Sequence, residues 1–309
     1  MGMERGGTTR SIELHRPVRL AAMLGPLRRG SGDPTYRIEG AGAGVEHWRA
    51  VRTPDGVAAW SASQDGDTVR VTAWGEGAQW ALDAMPRLLG QDDEPDGFAP
   101  EHPFLREAVR RHGVPLIGAT GLVMEALVPA IVEQKVTGQE AFAGYRRLVT
   151  RFGERAPGPR EDLWLPPSPE SLRAIPSWAW LRLPVDPARS RAVVTAARVA
   201  PSLERTLGLP GDEVERRLTS LPGIGEWTAA EVRARAHGDP DAVSFGDYHV
   251  AKDIGWALTG EPWDDERLRE FLEPFRPHRA RVVALVYAAS GHRPRRGPRM
   301  APRTHLPGR

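Results

Sequence analysis

Residues 218–252, LTSLPGIGEWTAAEVRARAHGDPDAVSFGDYHVAK, gather the residue types in this chain that can do chemistry. Leu221-Pro222-Gly223-Ile224-Gly225 lies between two helical patterns. Its glycines accept backbone angles closed to other residues and take side chains away from the amides that open the second helix. A helix start carries partial positive charge, so these amides form a ready seat for an anion such as a phosphate. Ile224 can tuck between the helices and hold the hairpin shut. The same Gly-x-Gly also serves a plain tight helix–helix connection. Twenty residues after Trp227 comes Asp247, in Phe245-Gly246-Asp247-Tyr248, where another helical pattern begins. A carboxylate there either caps that helix or faces a reacting centre.

The elements that must carry these residues can be read from periodicity. In the first hundred residues Ile12/Leu14, Tyr36/Ile38 and Val69/Val71/Ala73 alternate with polar neighbours, as half-buried strands do. Thr53-Pro54-Asp55-Gly56 between such runs is a turn, and 78–89 predicts a helix. The acidic, twice proline-broken stretch 91–100 (QDDEPDGFAP) is the best linker. Beyond it strand signals nearly vanish. A helical face spans 121–136, with a kink or late start expected at Pro129. Ser168-Pro169 and Asp186-Pro187 each read as an N-cap followed by proline at the first helical position. Further helices are expected over 212–221, 226–236, 247–258 and 279–290, the last a buried core helix ending at Gly291. The fold class is α+β: a small α/β domain over 1–97 with a disordered start, an all-helical region over 98–291 and a disordered Arg/Pro-rich tail over 292–309.

Composition excludes several chemistries. Zero cysteines means no disulfide, no thiolate nucleophile, no zinc knuckle and no cysteine-held iron–sulfur cluster. The nine histidines are scattered without metal-ligand spacing, so no metal site is expected. No apolar run reaches the roughly 18 residues of a membrane span, and 1–10 has no apolar signal core. A cytoplasmic location is expected, nucleoid-associated if bacterial. The net charge of +2 conceals an asymmetry. From Arg276 onward there are nine arginines and no acidic residue, leaving the rest of the chain with 33 basic against 40 acidic residues. A basic end on an acidic body hints at a polyanionic partner, held by a non-specific, salt-sensitive tether.

Taken together, these residues resemble the helix–hairpin–helix DNA glycosylase superfamily, and within it the 3-methyladenine DNA glycosylase II family of alkylation repair. Its pattern, a Leu-Pro-Gly-x-Gly hairpin followed at fixed distance by an Asp on the next helix, matches Leu221 through Gly225 and Asp247. The likeness spans roughly residues 12 to 290. Residues 130–134 look like the family's helix ending in Gln, 183–197 like the helix preceding the hairpin, and 275–279 like its entry to the last core helix. The N-terminal hundred residues look like the family's α/β domain, similar to half of a TATA-binding-protein fold.

The resemblance implies a monofunctional DNA glycosylase of base excision repair. It would flip an alkylated purine of the 3-methyladenine or 7-methylguanine type into a pocket and hydrolyse its N-glycosidic bond. Asp247 is the implied catalytic carboxylate, steadying positive charge on the sugar and orienting water, as in glycoside hydrolysis. Where lyase relatives carry a lysine before the conserved Thr this chain has Trp227 ahead of Thr228, which implies no AP-lyase step. Trp227, Tyr248 and Glu231 are the candidate pocket residues. Trp227 either stacks on a cationic base or fills the core behind the hairpin; Tyr248 either holds Asp247 or packs. Glu231 stands where the family often has an aromatic, and either pairs with a cationic base or faces solvent. Lys135 replaces an apolar wedge, to insert through its methylene stem or to bind phosphate.

The candidate DNA-binding residues are Leu221, Gly223, Ile224, Gly225, Thr228, Gln134, Lys135 and Arg279. Arg279 and Arg281 either touch phosphates or sit on a solvated face. No cofactor is expected for catalysis, with a monovalent cation at the hairpin as the one candidate ion. The expected partner is double-stranded DNA containing damaged bases, with no membrane and no obligate protein partner. Two alternatives stand beside this reading: a glycosylase for deaminated or oxidised bases, and a non-catalytic helix–hairpin–helix DNA-binding module.

Overall fold

The computed structural model describes residues 6–294. The expected disordered start and the arginine-rich tail beyond residue 294 lie outside them. The architecture is α+β. Five antiparallel strands, β1 (Thr8–Glu13), β2 (Tyr36–Glu39), β3 (Glu46–Thr53), β4 (Gly56–Asp65) and β5 (Thr68–Trp74), form one sheet in the order β1-β5-β4-β3-β2. The predicted turn joins β3 to β4, with Gly56 at φ +119°. A short helix α1 (Leu20–Leu24) and α2 (Ala78–Leu88) bury Leu24, Leu82 and Met85 against Val51, Trp60, Val69 and Val71. The opposite sheet face, with Trp48, Ala50 and Ala59, is covered by Ala156, Leu163 and Leu165 from the chain's middle. Burial on both faces is why β3 and β4 read less clearly in sequence than the strands with one polar face.

Helices dominate after residue 97: α3 (Pro103–His112), α4 (Val123–Glu133) and α5 (Gly138–Phe152), then the two-residue strands β6 (Glu154–Arg155) and β7 (Trp164–Leu165). They are followed by α6 (Pro169–Ala174), α7 (Ser177–Leu181), α8 (Pro187–Arg198), α9 (Ala200–Glu204), α10 (Gly211–Thr219), α11 (Glu226–Val232), α12 (Val250–Thr259), α13 (Asp265–Leu272) and α14 (Arg279–Ser290). Both Ser-Pro and Asp-Pro starts cap as expected: Ser168 accepts from Ser171 N, and Asp186 from Ala188 N and Arg189 N. The late start at Pro129 does not occur. α4 runs through the proline, since it begins at Val123, whose amide and that of Met124 donate to the Glu204 carboxylate of α9 at 2.9 and 2.8 Å. An acceptor from elsewhere in the fold thus fixes a start that local sequence does not show.

Two apolar cores support the helical part. One packs α4, α5, α8, α10 and α11 through Leu127, Ile131, Leu148, Val193, Leu218 and Val232. The other packs α3, α12, α13 and α14 through Leu105, Ile254, Leu268, Val282 and Leu285. The sheet and the loop before β2 are joined to α4 by charge: Arg49 of β3 pairs with Glu125, and Arg29 of the loop with Glu133 at 2.8 Å. Burial pushes both glutamate carboxyls above the usual range, against the pull of their arginines. The linker is no loose tether. Asp93 receives both Arg281 Nη1 and Nη2, at 2.7 and 2.8 Å, and the Ile117 amide at 3.0 Å.

Candidate active site and DNA-binding hairpin

α10 and α11 form the hairpin arms. α10 turns Val214 and Leu218 inward, and Ile224 enters the same core, only 5% exposed, so the loop is pinned from inside as its apolar side chain suggests. Gly223 has φ +88°, and a Cβ there would come within 3.0 Å of the Ala192 methyl on α8. Both angle and space therefore require glycine. Gly225 is extended and opens α11, with empty space where its side chain would be. Pro222, Gly223 and Gly225 are exposed, whereas Leu221 packs partly on the core.

Gln134 ends α4 and staples it to the hairpin. Its Nε2 donates to the Gly223 carbonyl at 2.9 Å and to Thr228 Oγ1 at 2.8 Å. Lys135 follows at an exposed tip, with φ +54°.

Asp247 lies opposite, after Gly246. Its Oδ1 accepts from the amides of His249 and Val250 at 2.7 and 3.2 Å, and it stands two residues ahead of His249, which is the N-cap of α12 in place of Asp247. Its Oδ2 accepts from Trp227 Nε1 at 3.3 Å. Three donors from two elements fix the carboxylate, and the indole edge rather than its face meets it. Two residues twenty apart in sequence meet as a carboxylate and an aromatic wall beside an anion-accepting loop. That arrangement can bind a phosphate, stack a flat cationic group and stabilise positive charge nearby.

No protein-family model matches the chain. The probable bifunctional transcriptional activator/DNA repair enzyme AlkA of Mycobacterium tuberculosis is 28% identical over 216 residues, 67% of this chain and 42% of that protein. DNA-3-methyladenine glycosylase 2 of Escherichia coli is 27% identical over 193 residues, 61% of this chain and 65% of that one. The chain thus spans less than two thirds of the length of both relatives. A solved 3-methyladenine DNA-glycosylase from Archaeoglobus fulgidus shares the fold, with a TM-score of 0.73 at 20% identity, covering 91% of this chain and 99% of that one. In sequence the chain is thus similar to alkylation-repair DNA glycosylases, and in fold to a solved member of that group.

Several residues do not stand where sequence placed them. Thr228 is 2% exposed and its hydroxyl accepts from Gln134, so it supports the hairpin from below. Arg279 is buried and grips Asp241 through Nε and Nη2 at 2.9 and 2.7 Å, its guanidinium 5.9 Å from the Phe245 ring centroid. Arg281 is 0% exposed in its clasp on Asp93. Neither arginine lies on a solvated face. Both are latches that fasten α14 to the loop before Asp247 and to the linker. Asp241 and Asp93 were the sequence signal for this, visible only as acidic residues in loops.

Glu231 does not face solvent. Its side chain is 13% exposed, Oε1 accepts from Ser244 Oγ and Oε2 pairs with Arg235. It therefore ties α11 to the Asp247 loop, and Arg235 reaches on to the Pro26 carbonyl at 3.3 Å. Tyr248 neither packs nor holds Asp247. It is 69% exposed, with Lys252 Nζ 3.5 Å from its ring centroid and the His249 ring edge-on.

Sequence reasoning missed two neighbours. Glu133 has its carboxyl raised by burial, with the charges of Glu231 and Asp247 acting in the same sense. Tyr287 on α14 has its phenol pushed up by burial and then by the charges of Asp253 and Asp247. Asp253 is buried and accepts from His292 Nδ1 at 2.7 Å and Tyr287 OH at 3.4 Å. Each residue belongs to a helix whose periodicity spoke only of packing. Among the described residues no group of three or more His, Asp or Glu is arranged to hold a metal, and no helix is long and apolar enough to cross a membrane.

Proposed function

We propose that this chain is a monofunctional DNA glycosylase that removes alkylated purines from double-stranded DNA during base excision repair. The observation that carries the reading is Asp247, held by Trp227 and the first amides of α12 beside the hairpin. The exposed amides of Gly223 and Gly225 seat a phosphate of the damaged strand. The nucleotide rotates out of the stack toward Trp227. As the N-glycosidic bond breaks, positive charge grows on the deoxyribose, and Asp247 stabilises it and orients the attacking water. An N3- or N7-alkylated purine already carries positive charge and leaves as a neutral base, which lowers the demand for a general acid. With Trp227 in the place of a lysine ahead of Thr228, the product is an intact abasic strand. A non-catalytic hairpin module has no use for a carboxylate held by three donors, which speaks against that rival.

A second reading is favoured by one feature. Glu231, Ser244 and Arg235 set a hydrogen-bonding array one turn beyond Trp227. Such an array suits deaminated or oxidised bases, which are recognised by their polar edges.

Duplexes carrying a single 3-methyladenine, 7-methylguanine, hypoxanthine or 8-oxoguanine separate these readings by the free base released. We expect release of the methylated purines, a loss of about 10²–10³ in single-turnover rate for Asp247→Asn, and no strand nicking without alkali. Duplex binding without release would refute the enzyme. Unchanged release by Asp247→Asn would refute the mechanism, and alkali-independent nicking the monofunctional assignment. Preferential release of hypoxanthine or 8-oxoguanine would favour the second reading.

A further inference from the structure

Many arginines among the described residues are neutralised by a carboxylate, including Arg279, Arg281, Arg233, Arg189 and Arg269. A group beside the hairpin is not. Among the described residues, Lys135, Arg147, Arg182 and Arg191 have no carboxylate in ion-pair reach, and Lys135, Arg182 and Arg191 are exposed. Residues 177–203 contain four arginines and one acid, Asp186, which is spent on capping α8 and pairing with Arg189.

Contacts place the group next to the hairpin. Arg189 Nη1 donates to the Val132 carbonyl at 2.6 Å and Nη2 to that of Pro184 at 3.2 Å, joining the end of α4 to the turn after α7. Arg147 on α5 reaches the Arg182 carbonyl at 3.5 Å. Arg191 adjoins Ala192, the residue against Gly223. At the outer end Trp178 is 58% exposed, its ring centroid 5.4 Å from the Arg182 guanidinium.

Resting on the proposed function, we infer that Arg147, Arg182 and Trp178 form a second contact with duplex DNA, gripping the backbone that flanks the lesion. Uncompensated cations on an otherwise acidic body match a polyanion, and they continue from the hairpin where the damaged strand sits. Stacking on Trp178 holds the Arg182 cation in place at small entropic cost. The exposed indole then lies against sugar beside the phosphates the arginines hold.

The test uses the full chain and a fluorescein-labelled, undamaged duplex of about 20 base pairs, with affinity read by anisotropy across a salt series. Each lost phosphate contact lowers the slope of log K against log salt by about 0.9. Arg147→Gln with Arg182→Gln should lower it by about 1.8. Trp178→Ala should weaken binding about fivefold with the slope kept. Arg70→Gln, on the exposed face of β5, should change neither. Wild-type binding and base release with an unchanged slope in the double variant overturns this contact and leaves the function standing. An equal loss with Arg70→Gln reduces it to net charge and also overturns it. A wild type that binds no duplex overturns both this contact and the proposed function.

Discussion

Replacing Gln134 by Leu tests whether the staple between α4 and the hairpin positions the catalytic face. The side chain makes two hydrogen bonds, to the Gly223 carbonyl and the Thr228 hydroxyl. Each contributes about 0.5–1.5 kcal/mol net, and a buried hydroxyl stripped of its partner costs about 1–3 kcal/mol. The Gly223 carbonyl is exposed enough to regain water, so its share is small, whereas Thr228 is buried. Gln134→Leu should therefore destabilise by about 2–3 kcal/mol. Thr228→Val leaves Gln134 its bond to Gly223 and should cost about 1 kcal/mol. The double variant removes both partners together and should be no worse than Gln134→Leu alone, giving a coupling of about 1 kcal/mol. Urea unfolding measures the three variants, and single-turnover base release on methylated duplex measures the site. Because Trp227 precedes Thr228, Gln134→Leu should also slow release at least about tenfold under conditions where the protein stays folded. Additivity within about 0.3 kcal/mol together with wild-type release would refute the staple.

Two further outcomes follow from the charged interior. Arg281→Met strands the Asp93 carboxylate, so it should destabilise by about 3–5 kcal/mol in urea unfolding while the salt slope of duplex binding stays as in wild type; a changed slope would return Arg281 to the DNA interface. Burial raises the Glu133 carboxyl, so its contribution to stability is present below the unfolded pKa and is lost as pH rises through the folded one. Relative to Glu133→Gln, the wild type should therefore lose urea resistance as pH rises above the ordinary carboxylate range, and a relative gain would refute it.

The hairpin, the Asp247 helix start and both proline-led caps were legible because each rests on local chemistry: glycine angles, a capping carboxylate, a fixed proline φ. Asp247 divides its oxygens, Oδ1 taking the amides at the start of α12 and Oδ2 the indole of Trp227. What was not legible depends on partners far along the chain. Arg279 and Arg281 looked like surface cations until Asp241 and Asp93 arrived from loops 38 and 188 residues away. Glu231 looked free until Ser244 and Arg235 claimed it. The start of α4 depends on Glu204, which no window around Val123 contains. Spacing revealed residues that act through their own backbone; it could not reveal how side chains neutralise one another across the fold.

The seam between the sheet and α4 has a consequence for descent. Arg49 and Glu125 stand 76 residues apart and share one buried pair, and Arg29 and Glu133 share another. Losing either member alone leaves a charge without solvent or partner, which costs far more than replacing both with apolar residues. Drift across this seam is therefore quantised. In related chains each pair should survive whole or vanish whole, and a graft of one lineage's sheet onto another's helices should fail wherever the two halves disagree.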